Sequence, residues 1–220
     1  MNNLPAPPRR LDPEPRHVGR GTPVTWVMTP RMAERRARMR DVGVRLFAAA
    51  GVAHVTILDV AREAHVPPSA ASHGYRRKSE LVFDILHAYV DALHEYVGSA
   101  DEAHTQADPM DRLVAVAEAL LCGMLEHHDA HRIMLRHLAE LPEAEREVLR
   151  YLQRTLIHRL GDPLESVLPA LRSRRTLRAP LMQSLVAMAS HAPNWLNDAG
   201  PLATSDYARL MVRGIVAAAS

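Results

Sequence analysis

From Arg31 onward, apolar residues recur along the chain at intervals of three and four, the spacing of one face of an α-helix. The first segment of this kind ends at Gly51, a residue typical of helix C-termini. Its apolar stripe consists of Met32, Met39, Val42, Leu46 and Phe47. The alternation of apolar and polar positions that marks a strand persists nowhere, and the sequence holds no internal repeat. The pattern predicts an all-α fold.

Two short helices are predicted after the first. Thr56 is a good N-cap, and apolar residues follow it at helical spacing as far as Ala64, with the helix predicted to stop at His65-Val66. Pro67 disfavours helix at the residue before it, whereas Pro68 suits the first turn of a new helix because its missing N–H is not needed there. The stretch "PPSAASHGY" therefore predicts a short third helix that closes on Tyr75.

Longer helices are predicted in the rest of the chain. Gly98-Ser99 is expected to end the first of them, and Gly161-Asp162-Pro163 is expected to break a later one. The segment from Pro109 is apolar on more than one face and is therefore expected at the centre of the core. Other helices are predicted at residues 129–138, 143–160, 179–195 and 205–220, with 163–175 left ambiguous by Pro169.

The first thirty residues hold seven of the sixteen prolines, which predicts an arm that is disordered unless something binds it. No apolar run is long enough to span a bilayer, and the N-terminus lacks the apolar stretch of a secretory signal. Cys122 is the only cysteine, which excludes an intramolecular disulfide and suits a reducing compartment. We therefore expect a cytoplasmic protein in which this cysteine is a small hydrophobic residue rather than a nucleophile.

Charge divides the chain more sharply than its net value of +2 indicates. Residues 31–78 hold ten Arg or Lys and four Asp or Glu, for a net charge of +6, whereas residues 79–220 carry −6. A compact basic block is typical of a surface that binds a polyanion, with nucleic acid as the first candidate. A solvated charged surface would give the same composition, so charge alone decides nothing.

Three short helices in a basic block, the second and third joined by a tight turn, predict a helix-turn-helix. In this motif one helix crosses the phosphate backbone and the next enters the major groove, which accounts for the small residues of the third helix. Thr56 at a helix N-terminus could offer its hydroxyl and backbone N–H to a phosphate. Arg76, Arg77 and Lys78 would contact the flanking backbone.

The same residues resemble the TetR family of bacterial transcriptional regulators. "RLFAAAG", "TILDVAREAHV" and "YRRKSEL" match the family pattern without a gap over about fifty residues. The chain departs from it at His65, where the family has a turn glycine, at Ser72, where it has a tyrosine that faces DNA, and at Gly74. The resemblance implies a DNA-binding domain at residues 31–78. The implied DNA contacts are Thr56, Pro68, Ser69, Ala70, Ser72, His73, Gly74, Tyr75, Arg76, Arg77 and Lys78.

The resemblance also implies that residues 79–220 bind a small effector and form a homodimer. The last helix carries one apolar stripe, and the helix before it is apolar on two faces, which fits a core on one side and a second subunit on the other, although an ordinary intramolecular core is a competing interpretation. The predicted dimer contacts are Leu181, Leu185, Met188, Tyr207, Leu210, Met211, Gly214, Ile215 and Ala218. The predicted lining of an adaptable apolar pocket is Leu86, Tyr89, Leu93, Leu120, Cys122, Met124, Met134, Leu138, Leu152, Leu156 and Met182. "HAPNWLNDAGPL" resembles a junction in lipid- or acyl-CoA-responsive members.

Two other classes of function remain open at this stage. The stretch "EHHDAHRIMLRH" could supply metal ligands to a helical hydrolase, but it lacks a His-Glu-x-x-His pattern, and facing carboxylate-histidine pairs cannot be assembled. An adaptor with a degenerate helix-turn-helix would fit His65, Ser72 and Gly74, whereas Lys78 and the basic block argue against it. The sequence predicts an effector-responsive, homodimeric DNA-binding regulator, a repressor, with no cofactor, metal or catalytic site.

Overall fold

The computed structural model describes residues 29–196 and 200–219, so the predicted N-terminal arm lies almost entirely outside the described residues. Within these ranges the chain is helical and contains no strand, which confirms the all-α prediction. The helices are α1 (Pro30–Ala50), α2 (Ile57–Glu63), α3 (Pro68–Gly74), α4 (Lys78–Ala103), α5 (Pro109–Glu126), α6 (His128–His137), α7 (Glu143–Val167), α8 (Arg175–His191) and α9 (Thr204–Ala219). Short 3-10 turns lie at Val52–His54, Leu138–Glu140, Pro169–Arg172 and Ala192–Asn194. No helix in the described part of the chain is both long enough and apolar enough to cross a membrane.

The chain divides into two compact units. The first comprises Met1–Ile85 and Leu141–Tyr151, and the second comprises Leu86–Glu140 and Leu152–Ser220. The first unit therefore includes the start of α4 and the first turns of α7, which the sequence-based boundary after Lys78 did not assign to it.

In the first unit α1 packs against α2, and α2 packs against α3. Its core is formed by the buried side chains of Met39, Phe47, Val60, Ala61, Ala71, Tyr75 and Leu81. α1 ends where predicted: Gly51 has a φ of 84°, a conformation that glycine adopts without the steric penalty of a side chain.

In the second unit α5 packs against α8 and α9, which also pack against each other. The buried side chains of α5 lie on more than one face of the helix, as predicted for a central element. They are Leu113, Val114, Val116, Ala117, Leu120, Leu121 and Met124.

The prediction that Gly98-Ser99 ends its helix is wrong, because α4 continues to Ala103. Val97 is fully buried, and Asp101 accepts a 2.7 Å hydrogen bond from the Nε of Arg112 in α5. These contacts hold the last turns of α4 in helical conformation, and they outweigh the low helix propensity of one glycine.

The predicted break at Gly161-Asp162-Pro163 is also wrong, since α7 runs through Pro163 to Val167. Leu160 and Leu164 are buried on either side of the proline, and their burial continues the apolar stripe of the helix. An interior proline costs about 3 kcal/mol, so this tertiary burial has to offset it. α8 likewise begins at Arg175 and contains Pro180, earlier than predicted.

Candidate functional site

Thr56 begins α2 with a capping box. Its hydroxyl oxygen accepts a hydrogen bond from the backbone N–H of Asp59 at 3.2 Å, while the Asp59 carboxylate accepts from the Thr56 backbone N–H at 3.0 Å. The Thr56 hydroxyl also lies 2.6 Å from the same carboxylate, and these hydrogen bonds lower the pKa of Asp59. Asp59 therefore engages the donors that the sequence analysis assigned to a phosphate.

The turn between α2 and α3 has the geometry of a Schellman motif. The N–H of Val66 donates to the carbonyl of Ala61 at 2.8 Å, and the N–H of His65 donates to that of Arg62 at 3.2 Å. His65 has a φ of 52°, so it adopts the left-handed conformation that suits the turn glycine of the TetR pattern at this position. The histidine at this position therefore adopts the left-handed conformation that a turn glycine would adopt.

α3 presents most of its polar side chains to solvent. The exposed residues are Pro68, Ser69, Ser72 and His73. Ala71 is fully buried, so this face of the helix packs against the rest of the unit. The hydroxyl of Ser72 donates to the carbonyl of Pro68 at 3.0 Å, which leaves its oxygen free to accept from a base edge. The half-buried Ala70 and Gly74 complete the predicted surface of the helix.

The assignment of Tyr75 as a DNA contact is wrong. Its side chain is only 1% exposed, its hydroxyl donates a hydrogen bond to Asp84, and burial raises its pKa. The guanidinium of Arg36 lies 4.4 Å from the centre of the Tyr75 ring, bonds Asp84 at 3.2 Å, and donates to the carbonyl of Gly74 at 3.1 Å. Tyr75 and Arg36 therefore fix the C-terminal end of α3 from inside the unit.

Lys78 also has a structural role in place of the predicted phosphate contact. Its ammonium group donates to the carbonyls of Val52, Ala53 and Val55 at 2.6, 3.3 and 3.2 Å. All three donors of the side chain are therefore used at the turn between α1 and α2. The presence of this lysine no longer argues for DNA binding.

The two arginines before Lys78 differ in their surroundings. Arg76 is exposed, and its side chain forms no ion pair with another described residue. Arg77 lies between two carboxylates, with its Nε 3.3 Å from Glu80 and its Nη2 3.6 Å from Glu145 of α7. Sequence reasoning missed Glu145 because no local pattern shows that α7 returns to this unit. Burial raises the pKa of Glu145.

The predicted pocket residues all belong to the second unit. Cys122, Leu138 and Leu152 are half-buried and the others are buried, so the set lies largely in the interior of that unit. One buried polar group among them was missed: His131, whose Nδ1 lies 2.7 Å from the Tyr89 hydroxyl and whose Nε2 lies 2.8 Å from the carbonyl of Ser190. Because that carbonyl can only accept, Nε2 carries the proton and Tyr89 donates to Nδ1. Burial lowers the pKa of His131, which favours this neutral form.

The predicted dimer contacts fall into three sets by burial. Leu185, Met211 and Ile215 are buried within the single chain, so the structure assigns them to the intramolecular core. The exposed residues of the stripe are Leu210, Gly214 and Ala218, and those that are half-buried are Leu181, Met188 and Tyr207. Trp195, which the prediction did not include, is also exposed and packs edge-on against Tyr207 at 4.8 Å between ring centres.

Among the described residues, no three His, Cys, Asp or Glu side chains are grouped so that they could hold a metal ion. In the histidine-rich stretch, His131 is committed to Tyr89 and Ser190, and His137 lies 3.0 Å from Glu140.

Comparison with known proteins identifies the family. A family model described as "Tetracyclin repressor-like, C-terminal domain" matches residues 106–218. No curated protein sequence matches the chain significantly. Among solved structures, a TetR-family transcriptional regulator from Bordetella parapertussis 12822 is 25% identical, with a TM-score of 0.71 over 82% of this chain and 93% of that one.

Two further solved structures share the fold. A regulatory protein in the TetR family from Rhodococcus RHA1 is 16% identical, with a TM-score of 0.72 over 85% of this chain and 97% of that one. AibR, solved in complex with isovaleryl coenzyme A and operator DNA, is 19% identical, with a TM-score of 0.64 over 84% of this chain and 97% of that one. Because the family model covers more than half of the sequence, the chain belongs to the TetR family of DNA-binding transcriptional regulators.

Proposed function

We propose that the chain is a homodimeric repressor that binds operator DNA through α3 and is released by a small hydrophobic effector. It acts in the cytoplasm and without catalysis. Residues 31–78, together with the turns of α7 that join their unit, form the DNA-binding domain, and most of residues 79–220 form the effector-binding and dimerisation domain. The observation that carries the proposal is the exposed polar face of α3 within a block of net charge +6.

Base recognition is assigned to the exposed polar side chains of α3. Ser69, Ser72 and His73 can form hydrogen bonds with base edges, and Ala70 can contact a thymine methyl group. Pro68 and Gly74 let the helix approach closely, and Arg76 supplies a phosphate contact. A reading surface with so few long side chains makes phosphate contacts a large part of the affinity. The related AibR, solved with operator DNA, supports this use of the fold.

The effector site is assigned to the interior of the second unit. Its predicted lining is rich in Leu and Met, which adapts to apolar ligands. The Tyr89–His131 pair adds one polar position to this interior. AibR was solved with isovaleryl coenzyme A, which makes a short acyl-CoA a rational first ligand to test.

Dimerisation is assigned to the exposed face of α8 and α9. Leu210, Gly214 and Ala218 lie exposed on α9, and Leu177 is exposed on α8. A dimer places two recognition helices about 34–36 Å apart, the spacing of successive major-groove faces. Effector binding favours a dimer in which this spacing no longer matches the operator.

The test is selection of bound fragments from random duplex DNA by the purified protein, repeated with isovaleryl coenzyme A and other apolar metabolites. We expect enrichment of a palindromic sequence and its loss with an effective ligand. His73→Ala is expected to weaken binding to the selected sequence more than binding to random DNA. The matched control is His158→Ala, which changes an exposed histidine on α7. A protein that binds no duplex DNA at low salt would instead be the non-DNA-binding adaptor.

A further inference from the structure

Glu145 is a buried carboxylate with an incomplete set of partners. Its residue is 8% exposed, and its Oε2 accepts no hydrogen bond from any described residue. A buried carboxylate oxygen without a donor is unfavourable, because the group loses hydration that nothing replaces. The position of Glu145 is therefore unfavourable unless a nearby cation compensates the charge.

The cation that faces Glu145 is one of the predicted DNA contacts. Nη2 of Arg77 lies 3.6 Å from Oε1 of Glu145, and Nε of Arg77 lies 3.3 Å from Oε1 of Glu80. The second oxygen of Glu80 accepts the backbone N–H of Arg76 at 2.8 Å, which fixes Glu80 in place. Arg77 is therefore held between two carboxylates, one of them anchored in the interior of the first unit.

We propose that Glu145 is a positioning residue that holds Arg77 away from the DNA backbone and so limits the number of phosphates the protein contacts. The proposal rests on the proposed function, because it concerns the same DNA-binding surface. A phosphate that recruits Arg77 must displace carboxylates already paired with it, and one of these is buried. Arg76 next to it has no carboxylate partner among the described residues and is available to every duplex.

This arrangement separates the two arginines by function. Arg76 supplies a contact that is independent of α7, whereas the contribution of Arg77 depends on the first turns of that helix. Charge neutralisation at Arg77 also reduces binding to random DNA, which competes with any operator. A residue far along the chain thus tunes the affinity of a surface built from α2, α3 and the start of α4.

The test compares Glu145→Gln with Glu147→Gln. Both variants remove one negative charge from the first turns of α7 in the same unit, but Glu147 forms an ion pair with Arg150, whose Nη1 lies 2.8 Å from its Oε1. Binding of the full-length variants to a mixed-sequence duplex is measured between about 50 and about 200 mM salt. For E145Q the slope of log Kobs against log salt becomes more negative by about 0.9, the value for one added phosphate contact. For E147Q it keeps the wild-type value.

A second comparison tests whether Arg77 carries the effect. In an Arg77→Ala background, adding E145Q is expected to leave the slope unchanged. Equal slopes for E145Q and E147Q, or an effect of E145Q that persists without Arg77, would overturn the proposal while leaving the proposed function intact. A wild-type protein that ignores duplex DNA would overturn both, and this result appears before any variant is compared. Thermal melting checks folding, and Glu145→Ala is a second variant without the carboxylate.

Discussion

At the scale of single residues, the turn between α2 and α3 shows how a departure from a family pattern is accommodated. His65 has a φ of 52° and completes the Schellman motif through its backbone alone. A residue other than glycine in this conformation carries about 1–2 kcal/mol of strain. Histidine is among the residue types enriched there, whereas β-branched residues are strongly disfavoured.

His65→Gly is therefore expected to raise the free energy of unfolding by up to about 1 kcal/mol, because relief of strain exceeds the added entropy of the unfolded chain. His65→Val is expected to lower it by more than about 1 kcal/mol, and His65→Asn to leave it near the wild-type value. Urea denaturation measures all three. A valine variant as stable as the wild type would show that the turn has another conformation.

Lys78 and Arg76 are both basic and lie two positions apart, but the structure predicts opposite consequences for their removal. Lys78→Met leaves three carbonyls without the ammonium donor and is expected to cost about 1–3 kcal/mol of stability. Arg76→Ala is expected to change stability by less than about 0.5 kcal/mol. It should also make the slope of log Kobs against log salt for DNA binding less negative by about 0.9. Melting and binding measurements on the same two proteins separate these roles. A Lys78 variant of unchanged stability would contradict them.

His131 is expected to make stability depend on pH. Burial lowers its folded-state pKa below the ordinary value of 6.5, so the unfolded chain binds its proton more readily than the folded chain does. Stability is therefore expected to be highest above pH 6.5 and to fall as the pH drops below it, by up to about 1.4 kcal/mol per pH unit for one histidine. The half-buried His94, whose pKa is also lowered by burial, contributes in the same direction.

Denaturation curves at a series of pH values check this expectation. His131→Gln is expected to be less stable at pH 8, because it breaks the contact with Tyr89, yet to lose less stability on acidification. His158→Gln, which changes an exposed histidine, is the control and should retain the wild-type pH dependence. A His131→Gln variant with the full wild-type slope would assign the effect to other groups.

At the scale of elements, the sequence predicted those helices whose ends are determined locally. The bounds of the first three helices are set by caps and turns at Gly51, Thr56 and Pro68, and each of these can be predicted from the type of a single residue. The end of α4 and the continuity of α7 could not be predicted in this way. They depend on contacts such as Asp101 with Arg112 and on the burial of Leu164, which only the tertiary structure supplies.

Two glycines inside long helices are expected to respond to alanine with opposite signs. At Gly98 a Cβ would lie 2.6 Å from the guanidinium of Arg159, an exposed and flexible group that can move away. At Gly123 it would lie 2.8 Å from Leu93 and 3.2 Å from the Tyr96 ring, where α4 and α5 approach closely. Gly98→Ala should gain up to about 1 kcal/mol from helix propensity, whereas Gly123→Ala should lose about 1–3 kcal/mol through overpacking. Chemical denaturation measures both, and equal signs would refute the distinction.

At the scale of the whole molecule, the sequence predicted the all-α fold, but it did not predict which segments make up each compact unit. The helix-turn-helix and the larger helical part follow from periodicity and charge. The inclusion of Leu141–Tyr151 in the first unit could not be predicted from these patterns. Hydrophobic spacing shows which face of a helix is buried, but not which other element packs against that face. Tyr75 and Lys78 show the same limit: their residue types suit DNA contacts, but in the structure their partners are Asp84 and the carbonyls of the α1–α2 turn.

The exposed stripe on α9 provides the test of assembly. Leu210 is 62% exposed on a helix whose opposite face is buried against α5 and α8, and Gly214 beside it leaves room for close approach of another helix. Leu210→Glu would place a charge in the proposed apolar contact between subunits and should shift the protein toward monomer. Leu135→Glu makes the same change at a leucine of α6 that is 53% exposed, and it should leave the assembly intact.

Sedimentation equilibrium of the wild type and the two variants measures this shift, and melting curves confirm that each variant is folded. Since two half-sites must be engaged together, L210E should also lose affinity for a palindromic operator far more than for random DNA. If L210E and L135E proteins have the same mass as a dimeric wild type, the subunits meet elsewhere. In that case Leu210 and Gly214 belong to a surface that faces solvent.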